Sequence, residues 1–175
     1  MIRIFLINLS VLLMTSPAMA QKSGVGAWEN SRHTTIQWIE RAPALGWYYN
    51  WRTDQMHSHS QIPRDVEFVP MIHGAKDVHK AIDSDLRVQT LLGFNEPDGG
   101  MGPHQANMSV RQAIKLWPKL ERRGLRLGSP ATTQGQTLGR NSWQRQFMNQ
   151  VEQQGRRVDF MAVHYYSTTG DVGEF

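Results

Sequence analysis

In Leu91-Leu92-Gly93-Phe94-Asn95-Glu96-Pro97-Asp98 an apolar run ends abruptly in an amide, a carboxylate and a proline. A run without polar alternation suits a strand covered on both faces. Pro97 has no N–H to offer a ladder and takes the chain out of the sheet. The carboxyl group of Glu96 is therefore expected at the rim of a sheet, beside Asn95. An apolar surround disfavours the anion and raises a carboxyl pKa, as a general acid at neutral pH requires. The alternative is a turn carboxylate paired with a nearby Arg.

The same pattern recurs on both sides of this stretch. Strands are expected at 24–28, 46–51, 67–74, 89–96, 125–131 and 158–166, with helices at 34–41, 76–85, 109–123 and 142–154. In the third helix Val110, Ala113, Ile114, Trp117 and Leu120 fall on one apolar stripe. Ser109 is placed to cap its start and Gly124 to end it. Strands alternating with helices predict an α/β fold with a parallel sheet. Each apolar run ends in polar or aromatic residues: Trp28-Glu29, Asn50-Trp51, His73, Asn95-Glu96, Ser129 and His164-Tyr165-Tyr166. Carboxyl ends of strands meet on one face in a β/α barrel and form the reactive edge of an open α/β sheet. Six ends of this kind make a candidate site.

The chain has 175 residues, 39% hydrophobic and 19% charged, with six Trp, which excludes a disordered polypeptide. With no Cys it holds no disulfide, thiol nucleophile or thiolate-bound metal. Its formal charge of +4 is scattered. The short clusters Arg122-Arg123 and Arg156-Arg157 fall at expected helix ends, where cations favour the dipole, so no nucleic-acid partner is expected.

Met1-Ile2-Arg3, the apolar stretch 4–14, Pro17 and Ala18-Met19-Ala20 read as a signal peptide over 1–20, leaving a catalytic domain at 21–175. No later stretch is apolar enough to span a membrane. The expected location is secreted or periplasmic. His57-x-His59, with His33, His79 and His104 elsewhere, lacks a fixed third ligand, so no metal is expected. Glu29 occupies the third glycine position that a dinucleotide fingerprint beginning at Gly24 would need. Gly128-Ser129-Pro130 is not a nucleophile elbow. Asn107-Met108-Ser109 fits a glycosylation sequon. No cofactor is expected.

Asn95-Glu96-Pro97 at the end of the fourth strand resembles the acid/base motif of clan A retaining glycoside hydrolases. The ordered blocks Tyr49-Asn50-Trp51, Phe68-Val69-Pro70-Met71, Leu92 to Asp98, Leu116-Trp117-Pro118, Leu127-Gly128-Ser129-Pro130-Ala131 and Asp159 to Tyr166 are similar to glycoside hydrolase family 128. That family, related to fungal alkali-sensitive-linkage proteins, acts as endo-β-1,3-glucanases. The resemblance implies a (β/α)8 TIM-type barrel that cleaves β-1,3-glucan with retention, a monomer when complete. It implies Glu96 as acid/base and Asn95 near the sugar 2-hydroxyl, with Asn50, Trp51, His73, His164 and Tyr166 binding substrate. His73 stands where members commonly carry Trp, and Tyr165 where the block usually reads His-Trp-Tyr; both changes are expected to alter stacking on sugar.

A retaining glycosidase needs a second carboxylate about 5 Å from the acid/base, which the family supplies from the seventh strand. Glu174 superficially resembles it. Only seven residues separate Tyr166 from Glu174, fewer than the roughly 10–12 of a parallel crossover. The expectation is an incomplete barrel of six βα units, truncated at its carboxyl end and inactive alone, with the nucleophile downstream. The competing expectation is a secreted glycan-binding protein of the same fold without turnover.

Overall fold

The computed structural model describes residues 23–56, 66–85, 88–100 and 102–170. The expected signal peptide, His57, His59 and Glu174 lie outside the described residues. The fold is mixed α/β. Strands β1 (Gly24–Gly26), β2 (Trp47–Tyr49) and β3 (Glu67–Phe68) form a parallel sheet, with Gly24 opposite Trp47 and Trp47 opposite Glu67. Strands β4 (Thr90–Leu91) and β5 (Arg126–Leu127) form a parallel pair. Parallel bridges join Met71 to Leu92, Asn95 to Ala131 and Gly128 to Phe160, so six extended segments lie side by side in chain order.

The regular strands are shorter than expected. Pro70 and Pro130 have no N–H for the ladder. The sixth segment, expected as a strand over 158–166, has a single bridge at Phe160 and no regular strand. The described segments do not close into a ring: β1 and the Phe160 segment each have a neighbour on one side only.

Helix α1 (Thr34–Arg41) buries Ile36 and Ile39 against Tyr48 and Phe68. Helix α2 (Val110–Glu121) buries Ala113, Ile114, Trp117 and Leu120, the expected stripe apart from the half-buried Val110. Helix α3 (Trp143–Gln153) adds Trp143, Phe147 and Val151 to the same core, with Leu91 and Leu127 from the sheet. Ser109 and Ser142 cap α2 and α3, accepting hydrogen bonds from the backbone N–H of Gln112 and Arg145. Gly124, at φ +71°, turns the chain beyond α2 in the left-handed conformation that glycine adopts without strain.

The helix expected at 76–85 does not form. A short 3-10 turn, Ala75–Asp77, is followed by extended chain in which Asp83 bridges Asp54. The Asp77 carboxylate accepts from the Gly74 N–H, and backbone bonds link Asp83 to Thr53 and Gln55, so the polar groups a helix would satisfy are satisfied by turn and neighbour. The basic clusters are also more than solvated helix ends. Arg123 donates to the carbonyls of Val78 and Lys80, and Arg157 to that of Leu125, tying loops to the sheet. No helix among the described residues is long and apolar enough to cross a membrane.

The strand faces divide the work. Tyr48, Phe68, Leu91 and Leu127 are fully buried toward the helices. On the other face, Trp47 and Tyr49 lie over β1, where a Cβ at Gly24 or Gly26 would fall 2.0 Å from the Trp47 ring or 2.6 Å from the Tyr49 ring. At Gly93 a Cβ would lie 2.9 Å from the Gly128 carbonyl oxygen and 3.0 Å from Pro130 N, so only glycine lets these segments approach.

Candidate active site

The carboxyl ends of the segments surround a cleft of about 540 Å³, lined by Trp28, Tyr49, Trp51, His73, Asn95, Glu96, His104 and residues 163–166. Six of the seven residues expected at the site converge there: Glu96, Asn95, Trp51, His73, His164 and Tyr166. Asn50 does not line it. Its buried side chain donates to the Asp54 carbonyl at 2.8 Å and accepts from the Arg52 N–H at 3.2 Å, closing the turn that swings Trp51 into the cleft. Trp51 and Glu96 both sit at left-handed φ, +58° and +41°. A large or charged side chain adopts that conformation at a cost of roughly 1–3 kcal/mol, and such positions concentrate at functional sites.

Glu96 is held from three directions. Tyr166 Oη donates to Oε1 at 2.6 Å, His164 Nδ1 lies 3.0 Å from the same oxygen, and Gln105 Nε2 donates to Oε2 at 3.0 Å. No Arg pairs with it among the described residues, so it is not the turn carboxylate of an Arg ion pair. The expected pKa direction is reversed. Burial is the largest single influence and pushes the carboxyl up, but the hydrogen bonds from Tyr166, Gln105 and His164, with His164's charge, outweigh it and hold Glu96 below its ordinary value. Burial and the adjacent Glu96 push the Tyr166 phenol up to about 12. Glu96 is the only carboxylate among the described cleft-lining residues.

The walls differ in character. Trp28 stacks on Trp51 with centroids 4.9 Å apart and planes 11° from parallel, and Tyr49 tilts against Trp51 at 4.6 Å. Beside the aromatic wall, where the His104 ring meets Trp28 edge-on at 6.2 Å, the lining turns polar. The carbonyl oxygen of His104 accepts from Asn95 Nδ2 at 2.8 Å and lies 3.0 Å from His73 Nε2, which places that ring's hydrogen on Nε2. Burial chiefly lowers the His73 pKa and favours the neutral ring. Asn95 Oδ1 is buried without a hydrogen-bond partner among the described residues. The loop carrying His104 is zipped to its strand by the Ala106 and Met108 N–H groups, which donate to the carbonyls of Asn95 and Pro97. Asp98 fixes its start by accepting from Thr133 N–H and Oγ1.

Sequence reasoning placed Trp28 among the strand ends of the candidate site without giving it a role, and missed His104 and Gln105 as site residues. Trp28 carries the strand-end signal that found Trp51; the other two sit in a loop without periodicity. The arrangement presents one ionisable carboxylate to whatever occupies the cleft, beside flat aromatic faces and neutral donors and acceptors. Among the described residues no three His, Cys, Asp or Glu side chains gather as metal ligands.

A family profile described as glycosyl hydrolase catalytic core matches residues 25–175. A crystal structure of a GH128 subgroup I endo-β-1,3-glucanase from Amycolatopsis mediterranei with laminaritriose is 39% identical and superposes with a TM-score of 0.65, covering 86% of this chain and 59% of that one. A subgroup III curdlan-specific exo-β-1,3-glucanase from Blastomyces gilchristii, solved with glucose, is 25% identical at a TM-score of 0.60, covering 89% of this chain and 66% of that one. Alkali-sensitive linkage protein 1 of Schizosaccharomyces pombe is 29% identical over 126 residues, 70% of this chain and 22% of that protein. The chain thus spans about three-fifths of the endo-glucanase and about a fifth of the curated relative.

Proposed function

The chain belongs to the glycosyl hydrolase catalytic core family, and on that premise we propose that it is part of a secreted or periplasmic retaining glycoside hydrolase acting on β-1,3-glucan, with Glu96 as general acid/base. The observation that carries this reading is Glu96 itself. It sits at a strand end in left-handed φ, gripped by three side chains, in a cleft with a stacked tryptophan wall. Sugar rings present apolar C–H faces that lie well on indoles, and their hydroxyls take neutral partners such as Asn95 and His73. Asn95 lines the cleft, and its buried Oδ1 has no partner among the described residues, which leaves that acceptor uncommitted to the fold.

In the proposed reaction Glu96 protonates the glycosidic oxygen as a second carboxylate attacks the anomeric carbon, then takes a proton from the water that releases the sugar. The nucleophile comes from the barrel units that complete the (β/α)8 ring after the sixth segment. A neighbouring anion about 5 Å away raises a carboxyl pKa. Its arrival would raise the Glu96 pKa, the direction a general acid at neutral pH requires.

The test is hydrolysis of laminarin by the full-length protein. Glu96→Gln is expected to lose at least about a hundredfold in kcat, and full activity in that variant would end the reading. A second reading, glycan binding without turnover, is favoured by the single carboxylate among the described cleft residues. Calorimetric titration with laminaritriose decides: heat of binding with no reducing sugar released supports the binder.

A further inference from the structure

The two oxygens of Glu96 meet chemically different partners. Oε1 faces Tyr166 Oη and His164 Nδ1, and Oε2 faces the carboxamide nitrogen of Gln105. A phenol or a neutral imidazole can give or accept a hydrogen bond according to where its proton lies; a carboxamide NH2 group can only give. A proton on Oε2 would point at the hydrogens of Gln105, whereas a proton on Oε1 finds an acceptor in Tyr166 or His164. Turning the amide over would set its oxygen against the ionised carboxylate, so the anion selects the observed orientation.

Gln105 reaches this position through local fit. Its amide lies against the backbone of Gly99, where a Cβ would fall 2.2 Å from its carboxamide carbon. The following residue, Ala106, is bonded to the carbonyl of Asn95, next to Glu96 in sequence. The other titratable side chains lining the cleft are Tyr49, His73, His104 and Tyr165. We infer that Gln105 is a positioning residue for Glu96, holding Oε2 of the anion with a donor and so favouring uptake of the exchangeable proton at Oε1, on the side of Tyr166 and His164. The inference rests on the reading of Glu96 as acid/base. It goes beyond that reading by assigning the proton to one oxygen and the assignment to a residue outside the motif.

The test uses the full-length protein and follows the Glu96 carboxyl carbon by NMR across an acid titration, alongside laminarin hydrolysis. Gln105→Met keeps the length and removes the donor. It is expected to move the Glu96 titration to higher pH, lower kcat about tenfold, leave KM within twofold and shift the alkaline limb of the pH profile upward with the carboxyl. Gln105→Glu places a second carboxylate on Oε2 and is expected to move the titration further in the same direction. An unmoved Glu96 titration in Gln105→Met, with the thermal midpoint unchanged, overturns the inference. If Gln105→Met does not fold, the same comparison is made with Gln105→Glu, where an unmoved titration overturns it equally. Titration shifts without hydrolysis in any variant, the unsubstituted protein included, would sustain Gln105's hold on the carboxyl while removing the hydrolase reading.

Discussion

Tyr166 makes the shortest of the three contacts to Glu96, at 2.6 Å. A carboxylate held below its free value stabilises the fold above the pKa of free glutamate, and that contribution is lost as pH falls through the folded value. Tyr166→Phe removes one of the bonds that lower the Glu96 pKa and brings it nearer the unfolded value. The variant should therefore lose less of its thermal midpoint than the unsubstituted protein between neutral pH and the acid end of carboxyl titration. Because the phenol itself is pushed up to about 12, it stays protonated across that range. Trp28, 55% exposed and stacked on Trp51, contributes a surface rather than a core contact. Trp28→Ala is expected to weaken laminaritriose binding about five- to tenfold in calorimetry while shifting the thermal midpoint little. Gly93→Ala should do the reverse. Backbone atoms at Gly128 and Pro130 leave no room for a methyl group, so it should cost about 1–3 kcal/mol in urea denaturation.

At the scale of elements, stability sits in α2 and α3 and the strands beneath them. Trp117 is fully buried, its indole N–H donates to the Arg157 carbonyl at 2.9 Å, and its ring meets Phe94 and Phe147 edge-on. Trp117→Phe discards the hydrogen bond and part of the volume; the expected loss is about 1–3 kcal/mol by denaturant titration, with the orphaned Arg157 carbonyl adding to the packing defect. Ser109→Ala should cost about 1 kcal/mol through its lost cap. These two helices were legible because their signals are local: a serine cap, an apolar stripe and a glycine beyond the end of α2. The segment 76–85 misled for the opposite reason. Val78 and Ile82 have helical spacing, but the contact that governs the segment is Asp83 with Asp54, which no local pattern records. The site was legible as far as strand-end logic reaches, to Glu96, Asn95, Trp51, His73, His164 and Tyr166. Asn50 shared that signal yet turned inward to hold its own turn. Gln105 and the His104 carbonyl depend on how one loop folds back over its strand, a property of tertiary closure.

For the whole molecule, the side of the sixth segment away from β5 is decisive. Met161, Val163, Tyr165 and Tyr166 are each 40–56% exposed, the last three along the cleft, on a segment with no second neighbour among the described residues. Such an edge invites association. The 175-residue chain expressed alone is expected to bind a hydrophobic dye and to melt broadly, whereas a sharp cooperative transition from a soluble monomer would contradict this. The full-length protein should bind far less dye if further βα units cover the face. The bare inner surface of β1 has a consequence of another kind. Positions 24 and 26 have surrendered their volume to the rings at 47 and 49, so the two strands share one fixed quantity of space. A side chain can enter at 24 or 26 only when the partner ring shrinks, and aligned relatives should show residue size at 24 and 47, and at 26 and 49, rising and falling in opposition.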